Sequence, residues 1–351
     1  MKLAEEVIPE GEAHAIGLVV RASEQMLEKD EKPVVKRDQH PKHHGCVRAE
    51  FIIEPDLPQD LRVGLFAEPK TYQAWIRLSN GGQRDDREAD AHGMAIKLVG
   101  VAGPKVLEGH EQETTQDFVM IDNPVFFLRN AIDYGVFVDA MLKAKAKQPS
   151  ALYSSLFFLP KKLRELGTLA FSFFVPGRLA EFGKLLRFVS KRIDDPLTTR
   201  YWSTTPYLFG PGKAIKFSAK PAANAGKPPA HGSADYLREV MAARLKNADA
   251  LYEFQVQIQK DADKQPVEDP TVEWDEASCP FRTVARIKIP AQEFDTPERM
   301  SFCENLSFTP WHALADHRPL GGINRTRKDV YLVLSKMRHD LNAVPISEPT
   351  A

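Results

Sequence analysis

The fold is decided by five pieces between residues 47 and 123: VRAEFIIEP (47–55), LRVGLFA (61–67), YQAWIRLSN (72–80), GMAIKLVGV (93–101) and QDFVMIDN (116–123). Each is rich in β-branched or aromatic residues and is bounded by Gly, Pro, Asp or Asn. That is the signature of antiparallel strands joined by hairpins and loops. GGQRDDREADAHG (81–93) is too charged for a core and reads as a polar connection. The strand pattern resumes in KAIKFSAKP (213–221), YEFQVQIQK (252–260) and RTVARIKIP (282–290).

Helical spacing of apolar residues surrounds these blocks. EAHAIGLVVRASEQMLEKD (12–30) predicts an N-terminal helix. IDYGVFVDAMLKAKAK (132–147) and LAEFGKLLRFVSKRI (179–193) predict helices between the two strand blocks. The Phe-rich stretch within 152–188 reads as core-facing helix, or as the apolar wall of a ligand channel or lipid-facing patch. HGSADYLREVMAARLKN (231–247) and NRTRKDVYLVLSKMRHDLN (324–342) predict two more helices, the last with Asn324 as N-cap. NAGKPPAHGS (224–233) reads as a surface linker and VPISEPTA (344–351) as a frayed tail. Segregated strand and helix blocks, without βαβ alternation, predict an α+β fold with an antiparallel sheet or barrel.

The 351 residues carry 47 Lys and Arg against 48 Asp and Glu, a formal charge of −1, which argues against a general nucleic-acid binder. With 27% charged and 43% hydrophobic residues the chain has globular composition. Cys46, Cys279 and Cys303 are too sparse for a disulfide framework or a CxxC metal pair. The N-terminus lacks a basic, then apolar, leader pattern, and the longest apolar run, 166–177, is too short to span a bilayer. The expectation is a soluble cytoplasmic protein.

Nucleophile-elbow, P-loop, HExxH and dinucleotide-fingerprint motifs are absent. The informative cluster is RDQHPKHHG (37–45), three histidines and an arginine before the first strand. Histidine handles protons near neutral pH or ligates metals, while the plainer reading is a solvated basic loop. Arg37, Arg77 and Arg318 stand at strand or loop ends, where a guanidinium serves either a carboxylate ligand or an ordinary ion pair. Asn123, at the end of TQDFVMIDNPVFFLRN (115–130), either offers an amide to a ligand or caps the turn.

In order along residues 33–342, these segments resemble the haem catalase superfamily. RDQHPKHHG resembles the distal-histidine segment, WIRLSN the Arg-Phe-Ser strand, and DAHGMAIKL the Arg-Gly-Phe-Ala-Val-Lys-Phe strand. TQDFVMIDNPVFFLRN resembles the Asp-x-x-x-Asn-Asn-x-Pro-x-Phe-Phe-x-Arg-Asp segment. YWSTTPYLFGPGKAIKFSAKP, WDEASCPFRTVARIKIP and HRPLGGINR are similar to the later parts. The resemblance implies an eight-stranded antiparallel barrel with surrounding helices and a deep pocket for haem b. Residues 1–351 then form a single domain: 1–44 the N-terminal helix and distal loop, 45–130 the first barrel half, 131–200 a helical insertion, 201–295 the second half, and 296–351 the proximal segment and C-terminal helix. The chain lacks the long arms of large catalases and is more similar to small catalase-related proteins, among them allene oxide synthases and other hydroperoxide-processing enzymes.

Carried over, the resemblance makes His40 the distal histidine, with His43 and His44 an insertion before Gly45. Aligning directly on Gly45 would put Lys42 there instead. It makes Arg37, Arg77 and Arg318 the haem-propionate arginines and Tyr134 the aromatic ring stacked on the porphyrin. The family's distal asparagine falls on Ile121 by counting from Pro124, with Asn123 two residues later. The family ligates iron with a Tyr four residues after an Arg. Aligning MSFCENLSF (300–308) there puts Phe308 at the Tyr and Glu304 at the Arg, so the phenolate and its cation are both missing. His312 in PWHAL, four residues beyond Phe308, is the replacement candidate for axial ligand to the haem iron. The implied activity is haem-dependent processing of a small peroxide or lipid hydroperoxide, as a peroxidase, isomerase or lyase with weak or no catalase activity, in a monomer or homodimer. The alternative is a non-catalytic catalase-fold protein holding another anionic or apolar ligand.

Overall fold

The computed structural model describes residues 2–28, 34–146, 183, 189–227 and 232–350. The expectations for the Phe-rich stretch 152–182 and 184–188, and for part of the linker at 228–231, lie outside the described residues.

Nine strands form one antiparallel sheet: β1 (His43–Ile53), β2 (Thr71–Asn80), β3 (His92–Val99), β4 (Thr115–Ile121), β5 (Tyr201–Trp202), β6 (Tyr207–Leu208), β7 (Ala214–Pro221), β8 (Ala250–Ile258) and β9 (Arg282–Ile289). Their order is β5-β4-β3-β2-β1-β9-β8-β7-β6, and β5 also pairs with β7 through Tyr201 opposite Ala219 and Trp202 opposite Ser218. That last pairing closes an eight-stranded barrel, the α+β architecture the sequence predicts, with two-residue β6 added beside β5 on β7. Closure removes the exposed edges an open sheet would present.

Strand alternation fills the barrel. Phe51, Phe118, Phe217 and Phe254 meet inside it with ring centroids 4.8–5.9 Å apart, joined by Phe66. Phe66 arrives differently from expectation. LRVGLFA starts on the last residue of one 3-10 turn, Gln59–Leu61, and contains a second, Gly64–Phe66, and no strand. Gly64 sits at φ +51°, and a Cβ there would be 2.6 Å from the His317 ring, so the chain turns where a strand could not.

Five helices are described: α1 (Glu12–Glu28), α2 (Ala131–Ala146), α3 (Tyr236–Leu245), α4 (Pro297–Asn305) and α5 (Gly322–Asn342). α1, α2 and α5 share a second core outside the barrel, built from Val19, Ala22, Phe126, Tyr134, Val138, Ile323 and Val330. The start of α5 corrects one expectation. Gly321 holds the N-cap position at φ +84°, and Asn324 is buried inside the helix, its amide donating to Pro206 O and Leu320 O. The tail is also tied down. Glu348 lies 2.6 Å from the buried Lys97 ammonium and accepts from Thr115 Oγ1 at 2.8 Å.

Candidate functional site

A cavity of about 120 Å³ lies between the barrel wall and α5. The loop before β1 supplies Arg37, Asp38, Gln39 and His40; β2 supplies Arg77 and Ser79; α5 supplies Val330, Tyr331, Leu334, Ser335 and Arg338. Met94, Met120, Leu27 and Phe308 add apolar surface.

His40 is held on several sides. Its backbone adopts φ +58°, uncommon for a residue with a side chain and a form of strain found at functional sites. Its N–H donates to Gly81 O at 2.7 Å, its carbonyl accepts from Arg77 at 2.8 Å, and its Nδ1 lies 3.1 Å from Ser79 Oγ. Gly93 leaves room for the ring, since a Cβ there would stand 2.6 Å from His40 Cε1. Burial, then the charge of Arg77, pushes the imidazole down to about 4, so it is neutral at pH 7.

The register of β1 explains the neighbouring histidines. His43 faces Ser79 while Gly45 faces Leu78, a bulge that absorbs the extra residue. His43 turns to Glu304 at 3.3 Å and His44 to Asn80 at 3.1 Å. Lys42, the competitor for the His40 position, pairs with Asp86 at 2.7 Å and Asp235 at 3.0 Å.

One wall is cationic. Glu304 is 3.2 Å from Arg37, and its carbonyl accepts from Arg37 at 3.1 Å and Arg338 at 2.7 Å. Arg37 also donates to Leu306 O. Arg77 Nε is buried with no hydrogen-bond partner. His43, Arg37 and Arg77 hold the Glu304 carboxyl down to about 2 against the opposing effect of burial. Burial, then Arg77 and Arg338, holds Arg37 below its usual range. Arg37, Arg77 and Arg338 line this wall together, with only Arg37 in contact with the Glu304 carboxylate, and the buried Arg77 Nε has no hydrogen-bond partner.

Several sequence expectations fall elsewhere. Arg318 is not on the cavity lining; it pairs with Glu6 at 2.8 Å, and Arg338 occupies the cationic wall instead. Asn123 is not on the lining, nor is Ile121, which is buried opposite Gly93 and Trp202. Tyr134 stands one side chain back, its Oη accepting from Gln39 Nε2 at 2.7 Å. Burial pushes this phenol up to about 12. His312 is turned away from the cavity toward Glu113 at 2.8 Å and Asp117 at 3.5 Å, so the structure does not bring it to the site where an axial ligand would act.

The residue that sequence reasoning missed is Tyr331. It lines the cavity, with Arg327 four residues before it and Arg338 seven after, on one α5 face. Arg327 bonds Thr205 Oγ1 at 3.2 Å and Asn324 Oδ1 at 3.4 Å. Its charge disfavours a protonated His40 and favours ionised Tyr134. An Arg-x-x-x-Tyr spacing, the pattern sought at 304–308, also stands at 327–331. Phe308 itself does line the cavity, as apolar surface.

Comparison with solved structures agrees with the barrel. The fold is catalase-like. A bacterial catalase matches with TM-score 0.63 and 17% identity over 99% of this chain and 66% of its own. Catalase A from Saccharomyces cerevisiae matches with TM-score 0.64 and 16% identity over 92% and 65%. A fungal catalase matches with TM-score 0.61 and 15% identity over 92% and 63%. The chain thus spans slightly under two thirds of the length of these catalases. No family model and no curated protein matches it.

The sequence resemblance implies haem b, and the residues lining the cavity match its groups in kind. The cationic wall and the orphaned Arg77 Nε suit the paired carboxylates of the porphyrin edge. Leu27, Met94, Met120, Phe308 and Leu334 suit its apolar faces, and Tyr331 is an oxygen donor of the kind that ligates haem iron. The donor set fits.

Proposed function

We propose that this chain is a haem-dependent hydroperoxide-processing enzyme. The observation that carries the reading is the α5 face, which presents Tyr331 to the same cavity as His40 and has Arg327 one helical turn before the tyrosine. In this reading Tyr331 holds the iron, and Arg37, Arg77 and Arg338 hold the propionates. Arg327 stands one helical turn before the tyrosine in α5.

Haem, when bound, would supply the redox chemistry for O–O cleavage of a peroxide. The chain's part is proton handling. His40 is neutral at pH 7 and its Nδ1 is engaged with Ser79, so Nε2 is the atom that accepts the proton from the peroxide and returns it to the leaving oxygen. Leu27, Met94 and Leu334 limit water around that transfer.

Neither Ile121, at the position where the family resemblance places an asparagine amide, nor Asn123 lines the cavity, so this segment brings no amide there to polarise hydrogen peroxide. That difference favours peroxidase, isomerase or lyase chemistry on organic hydroperoxides over fast dismutation. With Tyr331 on the cavity lining and His312 off it, this reading takes the phenol oxygen, not an imidazole, as the iron ligand.

The test is an absorption spectrum with pyridine haemochrome quantitation on chain expressed with ample haem, alongside Tyr331→Phe and His312→Ala. The expected result is about one haem per chain, ferric charge-transfer bands altered by Tyr331→Phe and unaltered by His312→Ala, and peroxide turnover abolished in Tyr331→Phe. A colourless chain that takes up no added haem overturns the reading and leaves the cationic wall to another amphipathic carboxylate.

A further inference from the structure

On the far side of the 306–314 segment from the cavity, His110, Glu113 and His312 converge. One nitrogen of each histidine and one carboxylate oxygen lie within 4.8 Å of one another. His110 Nδ1 is 2.7 Å from Glu113 Oε1, and His312 Nε2 is 2.8 Å from Glu113 Oε2. The second contact has the distance of a hydrogen bond without its geometry. Both Nε2 and Oε2 are buried with no hydrogen-bond partner. The His312 side chain is only 5% exposed, so water does not compensate it.

We infer that this cluster is a binding site for a divalent transition-metal ion of the zinc class, ligated by His110, Glu113 and His312, with solvent as a further ligand. Two imidazoles and a carboxylate are the donor set of zinc and its neighbours, whereas magnesium and calcium take oxygen. Ligands about 2.0–2.1 Å from a tetrahedral zinc stand about 3.4 Å from one another, between the shortest and longest separations here. His110 and Glu113 side chains are 30% and 27% exposed, which gives them room to adjust and gives water access to the open position.

An outer shell is in place. Asp117 Oδ2 is 3.5 Å and Glu348 Oε1 3.9 Å from His312 Nδ1, the nitrogen away from the metal position. A carboxylate behind a ligating histidine fixes its orientation and raises its basicity. Lys97 Nζ also lies 3.4 Å from Nδ1, with its charge spent on Asp117 at 2.8 Å and Glu348 at 2.6 Å. A bound ion would displace the proton now shared between Glu113 and His110 and give the unpartnered His312 Nε2 a partner.

The ion would also be structural. It would clamp the 100–114 connection, which carries His110 and Glu113, to the 306–314 segment, whose other residues Ser307 and Phe308 line the cavity.

The test is equilibrium dialysis of chelator-stripped full-length chain against Zn²⁺, with elemental quantitation, and Co²⁺ substitution followed by visible absorption. The expected result is one saturable ion per chain and the d–d bands of a four- or five-coordinate cobalt site. Glu113→Gln and His312→Ala should each weaken binding by at least about a hundredfold, the upper range for loss of even an outer-shell partner. His110→Ala, on a partly exposed loop, gives the same comparison if the buried variant does not fold. Absence of saturable uptake, or uptake unchanged in both Glu113→Gln and His110→Ala, overturns the assignment. Zinc content is read independently of haem, so the result stands apart from the cavity's chemistry.

Discussion

Ser79 Oγ, on β2, lies 3.1 Å from Nδ1 of His40, in the loop before β1. The serine fixes an imidazole whose backbone is already committed to φ +58°. Ser79→Ala removes the tether without removing the base. The expected result is a fall in kcat of about 10- to 100-fold, short of the roughly 10²–10⁴-fold that loss of the base itself would bring, with KM little changed. Steady-state kinetics with an organic hydroperoxide separates the two.

Gly93→Ala tests the same ring from its other side. A new Cβ 2.6 Å from Cε1 meets a ring held by its own backbone bonds, so the imidazole must leave its position. Turnover should fall at least as far as in Ser79→Ala, while haem content and the far-UV spectrum are retained. Unchanged turnover would show that His40 is not the proton carrier.

The pH response follows from histidines buried neutral. His40 and His317 are each pushed down to about 4, chiefly by burial. The unfolded chain protonates such groups near pH 6.5, so between about 6.5 and 4 it binds more protons than the folded chain. Stability from these groups is full above about 6.5 and is lost as pH falls toward 4. Denaturant midpoints should decline across that window. The acid limb of activity should sit near pH 4 and move upward in Arg77→Gln, which removes a charge opposing His40 protonation.

Arg338 is 2% exposed and donates to Glu304 O at 2.7 Å on the cationic wall. Arg338→Gln should weaken haem retention by about 10- to 100-fold, the equivalent of one charge-assisted hydrogen bond of ~1.5–3 kcal/mol. Arg318→Gln, at the position the sequence favoured, should leave retention unchanged. Haem transfer to an apo-globin acceptor measures both.

Arg325 binds three carboxylates: Glu12 at 2.5 Å, Glu6 at 2.6 Å and Glu268 at 2.9 Å. Glu12 is 3% exposed. Arg325→Leu leaves a buried negative charge without its cation and should cost about 3–5 kcal/mol, read by chemical denaturation at pH 7. Adding Glu12→Gln should restore part of it.

The barrel was legible because strand alternation and turn residues report backbone geometry directly. LRVGLFA misled because apolar density says nothing of a left-handed glycine. His40, Arg37 and Arg77 were legible because they sit beside or within strands whose register the pattern fixes. Tyr331 was not. Helical periodicity marks α5 as amphipathic but cannot tell which apolar face meets a cavity and which meets α1 and α2. The HRPLG segment then fixed the alignment short of α5. Only packing shows that Arg318 belongs to Glu6 and Arg338 to the cavity, since both are arginines close to the same helix.

The cavity joins the loop at His40 to α5 at Tyr331, and this has a consequence for biogenesis. Ribosomal synthesis at roughly 5–20 residues per second separates those two residues by about 15–60 s. The last barrel strand ends at Ile289, so for the final 42 residues of that interval, roughly 2–8 s, the barrel wall can be complete while its cover is still missing. A flat prosthetic group could then enter sideways, before docking of α5 seals the cavity, and later exchange would require that helix to undock.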